Sequence, residues 1–500
     1  MSESAADVFA AGVVAISEAV RAGRCRATEM VAEHQRRAAR AAGLNALVQP
    51  CPARAATAAE AIDRRLAAGT IGDAPLVGVP VSVKECFAVR GLKTTLGMKH
   101  RRGDMDREDA DVVLRIEAAG GLVVGKANVP QAMYLHETDN PVWGRTVHPL
   151  DASRGPGGSS GGDAALVAAG VVPLAIGNDL AGSLRQPAHA CGIATLVPRA
   201  AVLGRGGAFE TMPGLRGVPS RAGFLARRVD DLGRALAAVS SATATPPAAP
   251  VRRIAWWDDT GPIPASPAVR RAVREAVDRL ESRGVVAVRV TGDLVAEAAW
   301  LHLGIIAADG GDDVRRAFAG ERPMRGVSKL LAIARLPRRW RSAVAALVRA
   351  SGGRIEAEGI LRTGRRTAVE VSSLLAARDL VADRFATLVA GCDAVICPVS
   401  ALPALRHGSA ARLVLAAAPC LLASLLDLPA GAVPITTVAA DEQGNRGWSA
   451  DRVLRAAAKA DRGSVGLPVG VQVVGCPGRD EASVLEVMRL LEPGRRAAGG

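Results

Sequence analysis

An α/β fold, a mixed β-sheet core covered by helices on both faces, is predicted by three observations. Short apolar runs bounded by Gly or Pro recur along the chain, stretches of helical period separate them, and 49% of the 500 residues are apolar. Continuous apolar runs suit strands buried on both faces, as in mostly parallel or mixed sheets. Aromatic residues make up only 3%, so the core must be built from Ala, Val, Leu and Ile.

In chain order, residues 5–45 read as two helices, the second with helical period from Thr28 to Ala42. Leu76–Lys84, Gly121–Gly125, Val171–Ile176, Ala394–Cys397, Ala432–Val438 and Val469–Val474 read as strands, with helices at Asp109–Ala119, Asp163–Gly170 and Arg227–Ala238. Ala242–Pro250 has the composition of a linker, after which Ile254–Trp257 begins a strand. Ser266-Pro267 opens a helix with Ser at the N-cap and Pro at the first helical position. From Arg325 to Arg349 there are seven basic residues and no acid. Val327, Leu330, Leu331 and Ala334 share one helical face there, and after Pro337 so do Trp340, Val344, Leu347 and Val348. Such a basic amphipathic pair suits either a helix packed on the core or a membrane-surface element.

The net charge of +14 points toward an anionic partner. However, Arg far outnumbers Lys, the charges are spread, and no basic run is interleaved with aromatics, which argues against nucleic acid. The eight cysteines form no C-x-x-C pair, and no His/Asp/Glu cluster has metal-ligand spacing, so no metal and no cofactor is expected. The N-terminus lacks the basic start of a signal peptide, and the longest apolar run, Leu413–Leu426, is broken by Pro419. A cytoplasmic protein is expected.

Two motifs mislead. Gly120–Ala127 nearly matches a phosphate loop but lacks the Ser or Thr that holds magnesium, and its middle is strand-like. Gly157-Gly158-Ser159-Ser160-Gly161 fits the nucleophile elbow G-x-S-x-G, yet loop precedes it. That elbow also needs a later histidine, for which His189, His302 and His407 are available. A different constellation is more informative. Lys84, one of only six lysines, ends an apolar strand-like run, and Ser159 and Ser183 sit in separate glycine clusters. Serine needs an adjacent base, and a desolvated lysine can serve.

From Leu76 to Gly207 the chain resembles the amidase signature family. The carrying residues are Gly78–Glu85, Gly125–Pro130, Thr138–Thr146, Ser153–Gly162 and Gly182–Pro187, with later landmarks at Gly223–Arg227 and Gly466–Gly475. The wording of Lys84-Glu85-Cys86-Phe87, Asn128–Met133 and Leu426–Pro434 is most similar to its fatty-acid amide hydrolase branch. The resemblance implies one amidase domain over 1–500, with a signature part at 5–240, a helical insertion or cap at 251–390 and a C-terminal sheet part at 391–492. It assigns Ser183 as nucleophile, Ser159 as bridging serine with a cis Gly158–Ser159 bond, and Lys84 as base. The backbone amides of Leu180, Ala181, Gly182 and Ser183 become the oxyanion hole, and Met133, Ser160 and Asp179 contact substrate.

The implied activity is hydrolysis of a linear carboxamide, with an apolar or fatty acyl chain, through an acyl-enzyme. The implied partners are the small-molecule amide, a membrane surface met by 325–350, and a second copy of the chain. The sequence departs from the family at Asn178, where Thr is usual, at Ala181, where Gly is usual, and at Thr195–Arg199. Those departures keep two alternatives open: an impaired acyl-amide-binding pseudoenzyme, and an amidotransferase subunit.

Overall fold

The computed structural model describes residues 4–240 and 250–492. The linker expected at Ala242–Pro250 therefore lies almost wholly outside the described residues. The first strands are β1 (Leu47–Pro50), β2 (Pro80–Lys84), β3 (Leu122–Ala127), the two-residue ladder β4 (Asp139–Asn140) and β5 (Gly144–Arg145), and β6 (Leu174–Asp179). They are followed by β7 (Ala194–Val197), β8 (Arg221–Ala226), β9 (Arg253–Trp256) and β10 (Val286–Arg289). The last are β11 (Ala394–Pro398), β12 (Ala430–Thr437) and β13 (Pro468–Gly475).

Apart from the β4–β5 ladder, all join one eleven-stranded sheet ordered β1-β3-β2-β6-β8-β7-β12-β13-β11-β9-β10. The sheet is mixed, as predicted: β3, β2 and β6 run parallel, β6 to β11 pair antiparallel, and β11, β9 and β10 run parallel again. The six apolar runs expected as strands are all present, and the strand expected at Ile254–Trp257 is β9. Their central residues are fully buried, which is why they read as unbroken apolar runs.

The N-terminal stretch forms three helices rather than two, Ala5–Ala11, Val13–Arg21 and Ala27–Arg40. The break falls at Gly12, whose φ of 105° and whose approach to the Asp231 carboxylate leave no room for a Cβ. The helix predicted at Ser266-Pro267 spans Pro267–Glu281, but the Ser266 hydroxyl makes no cap bond.

The basic amphipathic segment forms the helices Arg325–Arg335 and Arg338–Ala350. The first turns its apolar face inward, with Val327, Leu331 and Ala334 buried. The second buries Ala345, while Trp340 and Leu347 stand 54% and 71% exposed. No helix among the described residues is long and apolar enough to cross a membrane.

Candidate active site

Strand β2 carries Ser82 and Lys84 on the same face, since side chains alternate along a strand. Beside it, the Gly157–Gly162 turn leads into the helix Gly161–Ala168, with a cis bond between Gly158 and Ser159. Strand β6 ends at Asp179, and the loop 180–184 then enters the helix Arg185–Cys191. The ends of β2 and β6 and the turn between them in sequence bring together Lys84, Ser159 and Ser183.

Lys84 is fully buried, with Nζ 2.7 Å from Ser159 Oγ, 2.6 Å from Asn178 Oδ1 and 3.3 Å from the Asn178 main-chain oxygen. Burial lowers its pKa below the ordinary lysine value, against the smaller opposing pull of Cys86, Asp163 and Asp179. Behind it, Ser82 Oγ donates to Asp163 Oδ1 at 2.9 Å, and burial pushes the Asp163 carboxyl up to about 7. The two serine clusters are joined through the main chain, where the Ser160 N–H donates to the Ser183 oxygen at 3.0 Å. Ser159 and Ser183 line one small cavity of about 60 Å³ with Met133 and Asn178.

Asp179 does not reach that cavity. It is fully buried and shapes the loop, accepting from the Gly182 N–H at 2.7 Å, the Leu184 N–H at 3.1 Å and Arg185 at 2.8 Å. Burial would raise its pKa, but the Arg185 charge and hydrogen bond outweigh this and hold the carboxyl far below its usual range. Ser160 is likewise buried, its hydroxyl turned toward the Asn178 oxygen at 3.4 Å. Of the three residues expected at the substrate, only Met133 lines the space around Ser183.

The Gly182 amide, expected in an oxyanion hole, is taken by Asp179. The Leu180, Ala181 and Ser183 amides have no protein acceptor among the described hydrogen bonds. Gly182 has φ 93° and its hydrogen side faces Cys420, so a Cβ would clash there. Ala181 keeps an ordinary negative φ, so the alanine is not strained by replacing the usual glycine. Ala181 lines a second, apolar pocket of about 230 Å³ that runs from Ser183 to the helices of the 294–363 region.

Two residues in the site were not legible in the sequence, Asn178 as a partner of Lys84 and His136. The His136 Nε2 lies 3.1 Å from the Ala181 oxygen, which makes that nitrogen the donor, and burial lowers its pKa. The misleading motifs resolve structurally. Lys126 of the near phosphate loop is buried against Asp106 at 2.6 Å. His189 bonds the Leu402 and Gly470 main chains, and His302 is buried in the core with its pKa pushed down to about 3. His407 lies apart, its Nε2 3.2 Å from the Ala152 oxygen, and none of the three lines the cavity at Ser159, so the elbow alternative lacks its base.

The family model for Amidase matches residues 29–484. Fatty-acid amide hydrolase 1 of Sus scrofa is 32% identical over 453 residues, covering 85% of this chain and 77% of the relative. Fatty acid amide hydrolase 1 of Caenorhabditis elegans is 30% identical over 443 residues, covering 84% and 76%. A solved structure titled "Fatty acid amide hydrolase" superposes with a TM-score of 0.85 at 19% identity, covering 98% of this chain and 86% of that one, a likeness of fold. The chain belongs to the amidase family and is an amide-hydrolysing enzyme.

Proposed function

We propose that the enzyme hydrolyses a linear carboxamide with an apolar acyl chain, with Ser183 as nucleophile, Ser159 as proton bridge and Lys84 as base. The observation that carries the reading is the environment of Lys84. A neutral amine has two N–H donors and one lone pair. The two Asn178 oxygens accept the donors, which leaves the lone pair for the Ser159 O–H at 2.7 Å. Ser159 then takes the Ser183 proton across the cavity they share as Ser183 attacks the carbonyl carbon. The amides of Leu180, Ala181 and Ser183 stabilise the oxyanion, each such donor being worth about 3 kcal/mol of barrier. The proton held on Lys84 returns through Ser159 to the leaving nitrogen. Water hydrolyses the acyl-enzyme by the same relay. The apolar pocket beside Ser183, lined by Leu180, Trp300, Leu303 and Ile333, suits an apolar acyl chain.

A fluorophosphonate probe is expected to label the wild type and leave Ser183→Ala unlabelled. Equal labelling of both proteins would remove Ser183 as nucleophile. The ordinary backbone at Ala181 weighs against a pseudoenzyme, because one of the two departures behind that alternative leaves the loop unstrained.

Peripheral membrane contact belongs to the same proposal and rests on Trp340 and Leu347, which project from one side of a helix bearing Arg338, Arg339 and Arg349. A Trp340→Ser/Leu347→Ser protein is expected to lose most co-sedimentation with anionic vesicles. Binding equal to wild type would dispose of this contact.

A further inference from the structure

The apolar pocket that begins at Ser183 does not end on apolar side chains. Its far lining includes Lys329, Glu356 and Arg412, and two of these, with Leu135 and Ala411, also line a neighbouring cavity of about 780 Å³. At that junction one carboxylate serves three cations. The Glu356 Oε1 accepts from Lys329 at 3.1 Å and lies 3.7 Å from Arg412, and its Oε2 lies 3.3 Å from Arg452.

Farther into the cavity the imbalance grows. Arg325 and Lys459 meet no carboxylate within ion-pair distance among the described residues, and Arg406 is bonded only to the main-chain oxygens of Lys459 and Arg462, at 3.0 and 2.5 Å. The cavity's own carboxylates are already engaged, Asp139 by Arg145 at 2.8 Å and Glu137 by the Gly408 N–H at 2.6 Å, with His407 3.5 Å away. A concave wall with this excess of one sign concentrates the field inside it and attracts anions.

The helix Arg325–Arg335 contributes to both spaces. Leu330, Ile333 and Ala334 line the apolar pocket, and Arg325 and Lys329 line the basic cavity. Its amphipathic pattern thus matches an amphiphile lying inside the protein, along the helix. We infer that the basic cavity binds the anionic end of the acyl chain whose carbonyl is held at Ser183. The substrate class is then an amide of a linear acyl chain that ends in a carboxylate or a phosphate. This rests on the amidohydrolase reading of Ser183.

The test uses p-nitroanilides of one linear acyl chain ending either in a carboxylate or in its methyl ester, with the full-length protein. The carboxylate is expected to show a KM about tenfold lower than the ester at low ionic strength, a gap that narrows as salt screens the charges. In Arg325→Gln/Arg412→Gln the two KM values should converge. Equal KM values in wild type, or a preference that survives in the double variant, would overturn the inference.

Calorimetric binding of the corresponding dicarboxylic chain and its monoester to Ser183→Ala reads the same discrimination without turnover. Failure of hydrolysis with that discrimination intact would therefore count against the reaction and still support the cavity. Capture on phosphatidylglycerol vesicles that requires Arg325 and Arg412, with no discrimination between the two chains, would assign the charge to a lipid headgroup and overturn the substrate class.

Discussion

Lys84→Met is expected to lower kcat by about 10²–10⁴-fold, the range that a positioned general base supplies. Methionine keeps the length and removes the amine, so the site stays filled and no buried charge is created. The stability change should be modest, because the two Asn178 oxygens lose a donor at about 1 kcal/mol each while a desolvated amine is also removed. Thermal unfolding run beside steady-state kinetics separates the two effects. In the wild type, activity should fall as pH drops, since protonation of Lys84 consumes the lone pair that faces Ser159. Burial lowers the Lys84 pKa, so that acid limb lies below the ordinary lysine range. The limb should vanish from whatever activity the variant retains. A variant within tenfold of wild type would remove Lys84 as the base.

Asn178→Asp is expected to be nearly as damaging, for an electrostatic reason. The amide oxygen that accepts from Lys84 at 2.6 Å becomes a carboxylate, and the Ser220 hydroxyl, now accepting from the Asn178 Nδ2 at 3.0 Å, can rotate to donate to it. The exchange fits sterically, but an opposite charge at that distance favours the ammonium form and raises the Lys84 pKa by about 1–3 units. At neutral pH the enzyme then lacks its lone pair, with kcat/KM reduced about 10²-fold or more. Activity should recover as pH is raised, and the acid limb should move upward with it. A pH profile that keeps its wild-type midpoint would sink the role given to Asn178, however low its amplitude.

The sheet was legible where burial is symmetric. The runs at β2, β3, β6, β11, β12 and β13 are apolar without alternation because helices cover both faces. Strand β7 was missed because Ala194–Val197 is only four residues long, and β8 because Arg and Gly interrupt the apolar run in Arg221–Ala226. In the site, Lys84, Ser159 and Ser183 could be named from motif order. What they touch could not. Asn178 looked like a departure at a threonine position, and its role appears only when β6 lies against β2 and places an amide oxygen on Lys84. The contacts of Asp179 and Gly182 were hidden in the same way. A residue beside Ser183 in sequence reads as a substrate or oxyanion contact, whereas the Gly182 N–H donates to Asp179, which also accepts from Leu184 and Arg185.

The loop bearing Ser183 is held by partners from the far end of the chain. Arg185, paired with Asp179 beneath that loop, also donates to Gln472 Oε1 at 2.6 Å, Ser424 Oγ at 2.7 Å and the Cys420 oxygen at 2.9 Å, all out of solvent. During synthesis Ser183 therefore leaves the ribosome long before these late partners of its loop. With Asp179 as its only partner Arg185 would bury both Nη1 hydrogens and one Nη2 hydrogen without acceptors, so the nascent signature half gains little by closing around it early. The setting of Ser183 becomes a property of the nearly finished polypeptide, and a chain truncated before residue 420 would carry Lys84, Ser159 and Ser183 yet lack three of the groups that hold the Arg185 side chain beneath the loop.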